Sequence, residues 1–224
     1  MKLNIDIVWH EFGHLFSYKL VEKLGGKPRI ILGYNLVKST ESTDRPSIKT
    51  DYKEFTKGKD ELFKEYQLRI RAAFHSNSIY YHFIVLLMGA IFQLENSKFP
   101  KTIENLRELF EDGVKVSDDS LRGHAGSDFT KIKLLLMDNE DGNLMSTDII
   151  SFAHKLHEIL KEHEIFSKSS KIVDKLNLKY NGTQKKVCNP LLENEMEEIE
   201  NIIDPNLLDR VDKEINILKE RNQT

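Results

Sequence analysis

The chain has a single cysteine, Cys188, in 224 residues. That leaves no intrachain disulfide framework and no cysteine-rich zinc site, so any metal must rest on histidine and carboxylate ligands. The same scarcity suits a reducing, cytoplasmic setting. Charge of one sign is missing as well. With 36 acidic and 33 basic residues the formal net charge is -3, and no overall field draws in nucleic acid or an anionic membrane. The N-terminal stretch lacks a basic region followed by an apolar run and a small-residue cleavage site, so no export signal is expected. No internal repeat is readable.

Long apolar runs are scarce too. Ser76 to Leu94 carries no formal charge, but its polar start and His82 leave an apolar stretch of about 12 to 16 residues, short of the roughly 20 that cross a bilayer. A buried core helix is expected there, not a membrane span. The chain is 39% hydrophobic, enough for one main core and a smaller helical extension. The expected division is residues 1–165 and 166–224.

Helical periodicity dominates what is present. Asn4 to Leu24 reads as a helix stopped by Gly25-Gly26 and Pro28. Further helices are expected over Lys59 to Ala73, Ile79 to Leu94, Thr102 to Phe110, from near Asp128 onward, and from Ser146 to His163. Arg29 to Val37 has the β-branched and aromatic content of a strand, and Lys38 to Ser47 reads as a loop. Asp112 to Ser127, rich in Asp, Ser and Gly, reads as a second loop that delivers Asp128 to a helix start. Glu193 to Arg221 reads as a charged helical tail, more a solvated appendage than an assembly element. The expected fold class is mainly α with a small antiparallel sheet near residues 29 to 37, because strands and helices do not alternate.

The first helix carries His10-Glu11-Phe12-Gly13-His14, an HExxH segment. Histidines at i and i+4 project their rings one turn apart on one face, the bite a tetrahedral zinc requires, while the glutamate lies about 100° round from His10. There it can take a proton from water at the metal's open position and act as general base. Ile5, Val8, Phe12, Leu15 and Phe16 fall on roughly the opposite side, a core face. Gly13 costs about 1 kcal/mol against alanine inside a helix and signals a close approach by another element.

The third ligand is not given by an HExxHxxGxxH extension, which is absent. Asp128, His124, Glu95 and His82 are the candidates, with Asp128 favoured because a helix start can hold its carboxylate in one rotamer. Cys188 is expected to be a spectator. The HExxH helix, the strand Arg29 to Tyr34, the segment Leu86-Leu87-Met88-Gly89-Ala90-Ile91 and the turn Gly126-Ser127-Asp128-Phe129 follow in an order that resembles the FtsH-type zinc peptidases. The resemblance runs from the start of the chain to about residue 165. It implies a helical, zincin-like metallopeptidase domain in which His10, His14 and Asp128 bind Zn2+ and Glu11 is the catalytic base. It further implies that Ile30, Ile31, Leu32, Gly33 and Tyr34 form an edge strand on which a polypeptide substrate pairs. The family's ATPase module and the Gly-Gly and Glu-Glu pairs of its middle helix are missing, so ATP-independent endopeptidase activity is expected. Two alternatives stand beside it: a regulatory metallopeptidase of the ImmA/IrrE kind, whose third ligand is typically a glutamate, and a non-catalytic zinc-binding descendant.

Overall fold

The least polar stretch of the chain becomes its centre. The computed structural model describes residues 5–26, 35–38, 46–48, 58–76, 78–96, 103–112, 120–139, 142–181, 188–190 and 193–223. Within it Ser78–Asn96 forms α3, in which every residue from His82 to Leu94 is buried. A helix that is apolar all round must be covered on every side. Around it stand α1 (Ile5–Lys23), α2 (Phe63–His75), α5 (Ser120–Met137), α6 (Ser146–Glu162) and α9 (Pro205–Gln223). Among the described residues α3 is the one helix long and apolar enough to cross a membrane, and 83% of that window is buried inside the fold.

The first helix is more enclosed than its periodicity predicts. From Val8 to Tyr18 every residue of α1 is buried, because α3, α5, α7 (Ile165–Asn181), α8 (Glu193–Asn201) and a short strand all pack against it. The face carrying His10 and His14 is therefore inside the protein. The helix α4 (Ile103–Asp112) braces α5 and α6, with the Phe110 and Phe129 rings 5.2 Å apart.

The C-terminal part is docked, which corrects the expectation of a solvated tail. Leu207, Val211, Ile215 and Leu218 of α9 are buried, a helical stripe that lies on α6. A tight turn at His163 and Glu164, the latter with φ 56°, folds α7 back after α6. One hydrophobic cluster runs from Val8 through Ile165 to Leu218, and so spans the division expected at residue 165.

The chain is mainly helical, as expected, but the fold class as a whole needs correction. Ile30, Ile31, Leu32, Gly33 and Tyr34, the core of the expected strand, lie outside the described residues. Among the described residues strand conformation is confined to β1 (Asn35–Lys38), β2 (Pro46–Ile48) and β3 (Cys188–Pro190), antiparallel in the order β2-β1-β3. Pieces of three or four residues make a ribbon beside α1, not a sheet layer. The apolar faces of the helices already cover one another, so the architecture is helix on helix and not the zincin-like domain with its own sheet that was expected. Cys188 pairs opposite Val37 in that ribbon.

Candidate metal centre

Three helices bring the site together. The histidines of α1 sit one turn apart with their Nε2 atoms 3.1 Å from each other. From α5, Asp128 places Oδ2 at 3.3 Å from His10 Nε2 and 3.2 Å from His14 Nε2. All three residues are buried, and they form a group that could hold a metal ion. The edges of this triangle match a known coordination geometry: bonds of about 2.0–2.1 Å to a tetrahedral zinc place neighbouring ligand atoms about 3.3–3.4 Å apart. Glu11 is buried beside them but is not a member of the converging group.

The chemistry of the donors points the same way. The Nδ1 of His14 lies 2.8 Å from the carbonyl oxygen of Val85 on α3. A carbonyl only accepts, so Nδ1 carries the hydrogen and the neutral ring turns the lone pair of Nε2 toward the triangle. Asp128 Oδ2 also presents lone pairs. Two acceptors at this distance repel unless a proton or a cation lies between them. With protons alone, burial pulls the His14 imidazole down, but the Asp128 carboxylate, the Glu11 charge and the Val85 carbonyl together outweigh it, and the net shift is upward. Burial pushes Asp128 up, yet the adjacent His14 and His10 hold it well below the usual carboxylate range.

The space for the rings comes from two glycines. A Cβ on Gly13 would run into the backbone carbonyl of Met88, whose carbon would be 2.7 Å away. A Cβ on Gly89 would lie 2.6 Å from His14 Cε1 and 2.9 Å from His10 Cε1. The first glycine lets α1 and α3 cross closely, as its cost inside a helix predicts. The second leaves the room that both imidazoles occupy.

Asp128 converges with the histidines, but from a different place than the sequence suggests. It lies within α5, eight residues after Ser120, and is not a capping carboxylate at a helix mouth. The Gly- and Ser-containing run before it is helical because α5 is held by α1, α3 and α4, a packing term that overrides local propensity. Of the other candidates, Glu95 is occupied elsewhere, 2.7 Å from His157 Nε2, in a contact that ties α3 to α6. His82 is buried on α3 outside the converging group. Burial, with the Lys131 cation adding to it, pulls its imidazole down to about 3. His124 belongs to α5, and its side chain lies outside the described residues.

Two contributors escaped sequence reasoning. Val85 acts through its backbone, which no side-chain pattern reveals. Lys131 donates from Nζ to Asp128 Oδ1 at 2.8 Å, and its i+3 spacing from the aspartate was a usable signal. No family model matches the chain, and no curated protein or solved structure matches it either. The site is thus defined by its own geometry, two histidines of one helix and an aspartate of another closing on one point.

Proposed function

We propose that the chain is a zinc-dependent endopeptidase with a site plan like that of the FtsH-type peptidases. The observation carrying this reading is the convergence of His10 Nε2, His14 Nε2 and Asp128 Oδ2 within 3.1 to 3.3 Å of one another. In it, His10 and His14 bind as neutral imidazoles and Asp128 as a carboxylate. Bound zinc supplies Lewis acidity, acidifying a water and polarising the scissile carbonyl. Glu11 supplies the base. It lies next to His10 in α1, is buried, and its charge reaches His14. Its carboxylate accepts a proton from the attacking water as the new C–O bond forms. It then returns that proton to the amine nitrogen as the C–N bond breaks. Burial of all four residues keeps bulk water away and strengthens each of these interactions.

The converging carboxylate is an aspartate and not a glutamate, which favours this reading over a regulatory peptidase of the ImmA/IrrE kind. The test separates binding from chemistry. Glu11→Gln should keep its zinc and lose hydrolysis of an unstructured peptide, because an amide cannot take the water's proton. Full activity in Glu11→Gln would refute the role of Glu11, and a zinc-loaded wild-type chain inert toward a random peptide library would mark a non-catalytic metal protein.

A further inference from the structure

We propose that Lys131 is a positioning residue that makes Asp128 a one-oxygen ligand and so keeps one coordination position open; this rests on the metal-site reading above. Oδ2 of Asp128 faces the two histidines, at 3.3 and 3.2 Å, whereas Oδ1 accepts from Lys131 Nζ at 2.8 Å. The two oxygens thus have different partners. The aspartate side chain is 5% exposed and the lysine 41%, so Nζ reaches the carboxylate from the solvent edge and draws Oδ1 away from the point where the donors meet.

The consequence concerns ligand count. A zinc site that does chemistry holds three protein donors and leaves the fourth position for water or substrate, whereas four protein donors close it. Two histidines and both oxygens of Asp128 would make four. Two histidines and Oδ2 alone make three. Hydrogen-bonded partners of metal ligands typically contribute 10- to 100-fold in affinity. Simple electrostatics has the opposite sign here, since a cation beside a cation site opposes metal binding. Removing Lys131 therefore discriminates: loss of a repelling charge tightens binding, and loss of a positioning bond weakens it.

The experiment uses the full chain with Lys131→Met, Lys131→Gln and Lys131→Arg, each titrated with zinc and with cobalt(II) as a spectroscopic substitute. We expect Lys131→Met and Lys131→Gln to bind zinc roughly 10- to 100-fold more weakly. As Oδ1 takes the open position beside Oδ2, the narrow bite of the carboxylate should pull the cobalt site away from a tetrahedron, and its visible absorption should shift and weaken. Lys131→Arg, which restores a donor, should return both toward wild type. Unchanged or tighter binding with an unchanged cobalt spectrum in Lys131→Met and Lys131→Gln would overturn the inference. A wild-type chain that takes up neither metal would instead defeat the metal-site reading itself. Because the lysine side chain is 41% exposed, substitution should leave the fold intact, and thermal unfolding of the metal-free variants checks this.

Discussion

Three residues along α3, from Gly89 to Phe92, the same pair of helices is used in two opposite ways. At Phe92 the interface is filled with rings: Trp9 stacks on it at 6.2 Å between centroids, while Phe12 and Phe16 lie at 5.5 and 5.3 Å. From the far side Phe166 closes in at 5.1 Å. At Gly89 α3 presents no side chain, and two imidazoles from α1 occupy the space. On α1 the two uses are neighbouring stripes, with Trp9, Phe12 and Phe16 on one and His10 and His14 on the next. Gly13 stands between them at the point of closest crossing. The bulk of the aromatic half fixes how far apart the helices stand, and the glycine half depends on that separation to seat donors within a few tenths of an ångström.

The two halves should respond differently to change. The largest effect is expected from Phe92→Ala, which empties a fully buried site and should cost about 3–5 kcal/mol of stability, measured by denaturant unfolding. Next comes Gly89→Ala. In a helix this change ordinarily adds stability of about 1 kcal/mol, but here the new methyl group would fall among the histidine ring atoms. Zinc affinity should drop roughly 100-fold, about 2.8 kcal/mol by calorimetric titration, while the helix itself is not weakened. Loss of stability without loss of affinity in Gly89→Ala would erase the distinction between the halves.

A smaller effect is expected from His82, which lies on α3 beside the metal centre. Its folded-state pKa, about 3, is depressed below the unfolded value of about 6.5. The unfolded chain therefore binds the proton first as pH falls. This histidine's contribution is fully present above pH 6.5 and declines progressively below it, by about 2 kcal/mol between pH 7 and 5. Near the top of that window the raised pKa of His14 adds a slope of opposite sign, present above about pH 6.5 in wild type and variant alike, whereas the lowered pKa of Asp128 acts below it. Metal-free His82→Gln should accordingly show a flatter stability profile from pH 7 to 5 than the metal-free wild type, read from urea midpoints. Parallel profiles would show that His82 is not held neutral by burial.

Much of this comparison was legible in the residues. The HExxH spacing puts two imidazoles on one face, and the energetic cost of Gly13 pointed to a close neighbour, which proved to be the backbone of Met88 on α3. The uncharged run from Ser76 to Leu94 marked the central helix. What sequence hid was mostly tertiary. The composition of residues 112 to 127 reads as loop, yet from Ser120 onward it is helical, since contacts with α1, α3 and α4 outweigh weak local preference. Residues 165 to 181, a helix with Ile172, Val173 and Leu176 buried, carry a readable apolar period of their own. The charged tail looked solvated because its buried residues, from Leu207 to Leu218, are few among many charges; only the docking of α9 on α6 shows them as a stripe. Of the segment Arg29 to Val37, read as a strand by residue type, only Asn35 to Val37 lie among the described residues, in the short strand β1.

The most direct test of the metal centre is the zinc content of the purified full-length chain, measured beside His14→Ala and Asp128→Ala after dialysis against a weak chelator. The triangle of His10, His14 and Asp128 requires close to one zinc per wild-type chain and almost none in either variant. Full zinc in Asp128→Ala, or a wild-type chain that holds none, would contradict it.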